Sequence, residues 1–155
     1  PNLRPPLWRS LETARAQMLW GMERADVVKL SEEEGRFLFH CGPQEAAGHV
    51  LALGPKLVFV TLGREGCLAA DGASRVLLPT LPGIQVADTT GAGDIFGGTA
   101  LWQLLRTGKS PGELTRRELE YIAAFACTAA SLSTQKPGGV TSVPDPADIL
   151  SHFTR

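Results

Sequence analysis

The chain has 155 residues, of which 43% are hydrophobic and 20% are charged, a size and composition suited to a single domain over residues 1–155 with a buried core. Its net charge of −1 gives no reason to expect a nucleic-acid or acidic membrane partner. No apolar run reaches the roughly 18 residues of a membrane span. The three cysteines, Cys41, Cys67 and Cys127, are far apart, which predicts buried free thiols in a cytoplasmic protein without a disulfide framework.

The first half of the chain alternates predicted helices with predicted strands. Apolar spacing and turn signals predict helices over residues 10–25 and 44–53, and strands over residues 26–30, 56–61, 67–70 and 75–78. Ser31 and Glu34 have the spacing of a capping box, so a further helix should begin there. Asp71-Gly72 lies between the last two predicted strands and indicates a hairpin.

The second half continues this pattern. Residues 84–87 resemble one more strand, followed by the run Asp88-Thr89-Thr90-Gly91-Ala92-Gly93-Asp94 and a helix from about residue 95 to 105. Thr115 and Glu118 form another capping box that begins a helix to about residue 133, and Asp145 can cap a last short helix. The alternation predicts an α/β fold with layered α/β/α architecture and a largely parallel sheet. Ligands bind such sheets beyond the carboxyl ends of the strands, so the loops at 31–34, 63–66 and 91–94 are candidate site loops.

The run Gly91-Ala92-Gly93-Asp94 has the features of an anion site. Glycines allow close backbone approach, and the N-terminus of a helix offers free N–H groups and a favourable dipole. Asp94 could act there as a general base or only as a helix cap, and the residues alone favour neither. The run is neither a Walker loop nor a dinucleotide fingerprint, since Phe96 stands where the third glycine of GxGxxG belongs. A dinucleotide oxidoreductase lacks its fingerprint here, so only the layered fold suggests that class, and a fold does not determine function.

The segment Asp88–Phe96 resembles the DTxGAGD signature of the ribokinase-like, or pfkB, carbohydrate kinases. Four further segments resemble that family in the same order: residues 2–8 resemble the DPNxRxxLW stretch of its fructokinase branch, 29–34 its NxxE segment, 61–66 its TLGxxG loop, and 126–142 its adenine and monovalent-cation region. The resemblance spans nearly the whole chain and is closest to the fructokinase branch.

The resemblance implies roles for individual residues. Asp94 would deprotonate the attacking sugar hydroxyl, and the amides of Gly91, Ala92 and Gly93 would form an anion hole. ATP would be bound by residues of two loops and one helix, namely Ser31, Glu34, Thr61, Gly63, Gly66 and Cys127. Glu34 would act on Mg²⁺ through water. Ser31 and Cys127 stand where the family often has Asn.

A potassium site and a sugar contact are also implied by the resemblance. The potassium site would use mainly backbone carbonyls of Asp88, Thr90, Ser133, Gly138 and Ser142. Asn2 and Arg4 would reach the sugar or the phosphates, although Arg4 is equally compatible with a solvated surface arginine.

The family has a small β-sheet lid and most of its sugar contacts in its N-terminal half, and this chain resembles only the C-terminal part. We therefore expect a fragment of a longer kinase, inactive alone, whose full-length form could dimerise through the lid. The predicted reaction is ATP-dependent phosphorylation of fructose to fructose 6-phosphate. The alternatives are a 2-keto-3-deoxygluconate or nucleoside kinase, or a non-catalytic nucleotide-binding module.

Overall fold

The computed structural model describes residues 1–153. Its helices are α1 (Leu11–Met22), α2 (Glu32–Phe39), α3 (Pro43–Leu53), α4 (Ala92–Thr107), α5 (Arg116–Ser133) and α6 (Pro146–Leu150). Its strands are β1 (Val27–Ser31), β2 (Leu57–Thr61), β3 (Cys67–Asp71) and β4 (Arg75–Leu78). In the part of the chain described, no helix is long and apolar enough to cross a membrane.

The four strands form one sheet in the order β1-β2-β3-β4. β1 and β2 are parallel, with Ser31 opposite Thr61, while β3 and β4 are each antiparallel to the preceding strand. The sheet of this chain is therefore mixed. Short connections join β2, β3 and β4, whereas the parallel pair needs the crossover through α2 and α3. The predicted α/β fold is confirmed.

The sheet lies between two helical layers. Alternate strand residues point to opposite faces, and each face has its own hydrophobic cluster. One cluster joins the sheet to α1, α2 and α3 through Met18, Met22, Val28, Leu30, Leu38, Ala47, Val50, Val58, Val60, Leu68 and Ala70. The other, which includes Leu57, Phe59, Cys67, Ala69, Val76, Phe96, Ala100, Leu119, Ile122 and Ala126, joins it to α4 and α5. The predicted α/β/α layering is thus present.

Local signals located the helix starts well. Ser31 accepts a hydrogen bond from the Glu34 N–H, and the Glu34 carboxylate accepts one from the Ser31 N–H, as the predicted capping box requires. Thr115 and Glu118 form the second predicted box at the start of α5. Asp145 caps α6 by accepting a hydrogen bond from the Ala147 N–H.

The strand predicted over residues 84–87 is wrong. This segment has no strand neighbour in the described structure, and Val86 is exposed. The N–H groups of Ala87 and Asp88 instead donate to the carbonyl of Thr134, which follows α5, at 2.7 and 3.1 Å. The segment is therefore an extended connection held by the end of a helix.

Cys41 also differs from prediction, since it is only partly buried, whereas Cys67 and Cys127 are buried and all three are free thiols.

Candidate active site

Three predicted site loops lie near one edge of the molecule. Because β1 and β2 are parallel and in register, the segments that follow Ser31 and Thr61 begin at the same edge of the sheet. The start of α4 also reaches β1, since a Cβ placed on Gly93 would lie 2.9 Å from Lys29 Nζ. The carboxyl end of the parallel pair and the glycine-rich loop are therefore neighbours.

A cavity of about 530 Å³ lies between the loop after β2, the glycine-rich loop and α5, whereas residues 31–34 do not line it. Six of the predicted site residues line it: Thr61, Gly63, Gly66, Ala92, Gly93 and Cys127. Its remaining wall includes the connection from Thr80 to Ile84, Phe96 of α4 and Ser131 of α5. A second cavity of about 540 Å³, between α4, α5 and α6, contains none of the predicted site residues.

The loop after β2 is shaped by two glycines. Gly63 and Gly66 have φ values of +58° and +104°, a region that disfavours side chains with a Cβ. A Cβ on Gly66 would also run into the carbonyl of Leu78, at the end of β4. The loop therefore packs its backbone directly against the end of β4, and Gly63 and Gly66 line the cavity together with Thr61.

Asp94 is the third residue of α4, and it is exposed. The N-cap of this helix is Gly91 in the left-handed conformation, and no side chain caps the helix. Among residues 1–153, none forms a hydrogen bond or ion pair with the Asp94 carboxylate. The cap interpretation of Asp94 therefore has no supporting contact, and the carboxylate remains accessible beside the cavity, although it is not part of its lining.

The three amides predicted as an anion hole are not equivalent. The Ala92 N–H donates to the Thr89 carbonyl at 3.2 Å, and the Asp94 N–H donates to the Gly91 carbonyl at 3.0 Å. The N–H groups of Gly91 and Gly93 have no acceptor within the described chain. Two free donors at a helix N-terminus, where the dipole favours negative charge, are available to an anion.

Asp88 connects the glycine-rich loop to the segment after α5. Its Oδ1 accepts hydrogen bonds from the N–H and hydroxyl of Thr90 at 2.9 and 2.7 Å, and its Oδ2 accepts one from the Gly138 N–H at 3.0 Å. These bonds, led by the one from Gly138, lower the pKa of Asp88 to about 2. A Cβ on Gly91 would lie 2.8 Å from the Cα of Gly139, so the two segments also touch directly.

The other predicted potassium residues are close to this junction but have local partners. The Ser133 hydroxyl donates to the Ala130 carbonyl at 2.8 Å, and the Ser142 hydroxyl donates to Gly139 at 2.9 Å. No group of three or more His, Cys, Asp or Glu side chains could hold a metal ion in the part of the chain that the structure describes. A cation here would therefore depend on backbone carbonyls.

Glu34 is nearly buried, and both of its carboxylate oxygens accept backbone hydrogen bonds. Oε2 accepts from the Ser31 N–H at 2.9 Å, and Oε1 accepts from the Leu3 N–H at 2.8 Å. The second bond holds the segment of Asn2 and Arg4 next to the start of α2. Both of these residues are exposed, and neither lines the cavity.

Cys127 forms part of the cavity wall and contacts a second thiol. Its sulfur lies 3.4 Å from that of Cys67 and 3.9 Å from the Leu78 carbonyl oxygen. The hydrogen bond from Cys127, together with burial, raises the pKa of the Cys67 thiol. Cys127 therefore presents a small, weakly polar side chain to the cavity.

Two parts of the site were not predicted from the sequence. The connection from Thr80 to Ile84 lines the cavity, and the signal that could have identified it as a loop was the pair Pro82-Gly83. Lys29 approaches Gly93, and the signal that could have identified it was a lysine inside the apolar run of β1.

Comparison with known proteins identifies the family of this chain. The sequence model of the pfkB family carbohydrate kinases matches residues 1–146. The chain belongs to the pfkB family of carbohydrate kinases. Fructokinase-1 of Zea mays is 37% identical over 153 residues, which are 97% of this chain and 46% of the maize protein. The chain thus spans about half the length of the curated relatives it matches.

Solved fructokinase structures have the same fold. A double mutant of fructokinase from Vibrio cholerae O395, with fructose, ADP and a potassium ion bound, matches with a TM-score of 0.87 and 30% identity over 97% of this chain and 48% of that one. Fructokinase from Xylella fastidiosa with bound ATP matches with a TM-score of 0.85 and 25% identity over 97% of this chain and 49% of that one.

Proposed function

We propose that this chain is the nucleotide-binding and catalytic-base portion of an ATP-dependent sugar kinase. The observation that carries the proposal is the free Asp94 carboxylate on the first turn of α4, directly after the free Gly93 N–H and beside a cavity lined by the loop after β2. A binding module would need no such base. The fructokinase relatives support phosphoryl transfer to a sugar by this family member.

Asp94 acts as the general base in this proposal. Its carboxylate accepts the proton of the attacking sugar hydroxyl as the oxygen approaches the γ-phosphorus of ATP, a contribution of typically about 10²–10⁴ in rate. The N–H groups of Gly91 and Gly93 stabilise the charge on the transferring group, which is usually the larger effect. Ala92 contributes less, because its N–H already donates to Thr89.

The nucleotide occupies the cavity of about 530 Å³. Thr61, Gly63 and Gly66 form its wall on the sheet side, and Cys127 forms part of the wall on α5. Cys127 has no amide that could bind adenine, so the shape of the cavity and backbone groups recognise the adenine on that side. Ser31 lies at the same edge, but its hydroxyl already accepts a hydrogen bond from the Glu34 N–H at 3.1 Å.

Glu34 fits an indirect magnesium role. Each of its oxygens accepts one backbone hydrogen bond, and a carboxylate oxygen can accept another from a metal-bound water. Mg²⁺ retains several waters in phosphate sites, so it needs few direct protein ligands. When bound with ATP, Mg²⁺ neutralises charge on the phosphate oxygens.

A potassium site between the Asp88–Thr90 and Gly138–Ser142 segments is part of the same proposal. The segments are already joined by the bonds of Asp88 and by the Gly91–Gly139 contact. A cation bound by their carbonyls would further fix the loop that carries Asp94. The Vibrio cholerae relative was solved with a potassium ion.

Fructose is the proposed sugar, with fructose 6-phosphate as product, because the similar relatives are fructokinases. Asn2 and Arg4 are the proposed sugar or phosphate contacts within this chain. We further propose that the remaining sugar contacts belong to residues outside this chain. The isolated 155-residue chain should then bind ATP weakly and phosphorylate no sugar, and robust fructose phosphorylation by the purified chain would contradict this.

The decisive experiment replaces Asp94 with Asn in the full-length protein. Turnover of fructose should fall by about 10²–10⁴, the loss typical of a general base, while ATP affinity stays within about twofold of wild type, as for a group that acts mainly in the transition state. Asp148→Asn is the matched control, since Asp148 is an exposed carboxylate on α6. Wild-type turnover in the Asp94 variant would end the kinase proposal.

A further inference from the structure

Lys29 occupies an unusual position in β1. It lies opposite Phe59 of β2, and Phe59 packs edge-on against Phe96 of α4 with the ring centroids 5.5 Å apart. Val27, two residues earlier on the same face, packs against the cluster between the sheet and α4–α5. An apolar side chain would be the ordinary residue on this face of the sheet. The lysine stem instead runs from the apolar layer towards the edge of the sheet.

The ammonium group of Lys29 reaches the start of α4. A Cβ placed on Gly93 would lie 2.9 Å from its Nζ and 3.8 Å from its Cε. Any residue larger than glycine at position 93 would therefore displace the lysine. No carboxylate pairs with Lys29, and no acceptor binds its ammonium, within residues 1–153.

This arrangement collects positive potential at one point. The N-terminus of α4 carries the positive end of the helix dipole, and the free N–H groups of Gly91 and Gly93 are donors there. A lysine beside a helix N-terminus is electrostatically unfavourable unless an anion lies between them. An unpaired ammonium, two free N–H donors and a helix end suit a phosphoryl group, for which lysine serves as a point charge.

We propose that Lys29 is a further catalytic residue, whose ammonium binds the γ-phosphoryl group at the Gly91 and Gly93 amides. This inference rests on the proposed kinase function and adds a residue to its site. In the reaction, the sugar oxygen forms a bond to the γ-phosphorus and its proton passes to Asp94. The bond from the γ-phosphorus to the bridging oxygen breaks, and its electron pair leaves with ADP. Lys29 stays protonated throughout and neutralises charge on the transferred group.

The test uses Lys29→Met and Lys29→Arg in the full-length protein. Methionine keeps the length and apolar stem but removes the charge, whereas arginine retains the charge. Lys56→Met is the matched control, because Lys56 is exposed and its stem lies against Gly112. Four quantities are measured: kcat, the affinity for Mg²⁺-ADP, the affinity for a non-hydrolysable Mg²⁺-ATP analogue, and Tm.

We expect Lys29→Met to lower kcat by about 10²–10³-fold, the usual loss when one donor is removed from an oxyanion hole. The affinity for the ATP analogue should fall by at least about tenfold, while that for ADP stays near wild type, because only the analogue carries a γ-phosphate. Tm should not fall, since removing a cation from a helix N-terminus relieves repulsion. Lys29→Arg should recover part of the lost preference for the ATP analogue.

Two results would overturn the role of Lys29. One is a Lys29→Met variant with the kcat and nucleotide preference of the Lys56→Met control. The other is a drop in Tm together with an equal loss of affinity for both nucleotides, which would make Lys29 a structural residue. The nucleotide preference is measured without turnover. The proposed role of Lys29 can therefore be rejected while Asp94→Asn still lowers turnover as expected. Wild-type turnover in the Asp94 variant would separately reject the kinase proposal.

Discussion

Asp88 is the residue that fixes the position of the glycine-rich loop. Its carboxylate accepts three hydrogen bonds, two from Thr90 and one from Gly138, although the residue is only partly buried. The pKa of Asp88 is lowered from its ordinary value of 3.8 to about 2 by these bonds. The stability that they provide is therefore complete above about pH 4 and is lost as the pH falls from there to about 2.

Replacing Asp88 with Asn should lower Tm and weaken ATP binding, because an amide has one acceptor oxygen in place of two. The difference in unfolding free energy from wild type should stay constant between about pH 5 and pH 8, where the carboxylate is ionised in both the folded and unfolded states. Urea unfolding at several pH values measures this difference. Asp148→Asn provides the control for the loss of charge alone, and a difference that changes across this range would contradict the assignment.

The loop after β2 is the element in which backbone geometry most restricts the sequence. Gly63 has positive φ but open space at its Cβ position, whereas Gly66 has positive φ and the Leu78 carbonyl in the way. Gly72, in the β3–β4 turn, has neither constraint. A comparison of these three positions, which lie within about ten residues of one another, distinguishes the effect of backbone strain from that of steric overlap.

Alanine at the three positions should give a graded loss of stability. Gly72→Ala should lie within about 0.5 kcal/mol of wild type, and Gly63→Ala should cost about 1 kcal/mol for its left-handed backbone. Gly66→Ala should cost about 2–4 kcal/mol, since strain and overpacking combine. Urea denaturation measures the series, and ATP binding should weaken most in Gly66→Ala. Equal effects at Gly63 and Gly66 would show that the Leu78 contact is unimportant.

The features that were predictable from sequence are local ones. The capping boxes of α2 and α5 depend on residues three positions apart, so Ser31 with Glu34 and Thr115 with Glu118 could be read directly. Contacts between distant segments could not. Apolar alternation at residues 84–87 resembled a strand, but no partner strand is present in the described chain.

The same limit applies to the candidate site. The glycine-rich loop and Asp94 were evident from residue type and order. Neither the partners of Asp88 nor the approach of Lys29 to Gly93 is encoded in local spacing, because each joins segments far apart in the chain. Whether Asp94 was a cap or a free carboxylate could be decided only by the conformation of Gly91, which is itself the N-cap.

At the scale of the whole molecule, the core between the sheet and α4 supports the cavity. Phe59 is 2% exposed and contacts Phe96, and Phe96 lines the cavity wall. The aromatic pair therefore connects the centre of the sheet to the helix that carries Asp94. A change in this core should affect stability and nucleotide binding together.

Phe59→Ala should destabilise the fold by about 3–5 kcal/mol, the usual cost of removing a buried phenyl ring. At temperatures where the variant remains folded, its ATP affinity should also fall, because Phe96 loses its support. Leu77→Ala is the control, since Leu77 is 63% exposed on β4 and should change stability by less than about 0.5 kcal/mol. Chemical denaturation and nucleotide titration measure both effects, and unchanged affinity in folded Phe59→Ala would disconnect this core from the cavity.

The mixed sheet also has a consequence for the order of folding. β2, β3 and β4 follow one another closely in the chain, whereas β1 reaches β2 only after the α2–α3 crossover has been formed. Local pairings cost less loop-closure entropy and form sooner than distant ones. The three-strand meander should therefore nucleate, and the junction of β1 with α4, where Lys29 meets Gly93, should be among the last contacts to consolidate. In the proposed function, the phosphoryl group therefore binds at a junction that is among the last parts of the fold to form.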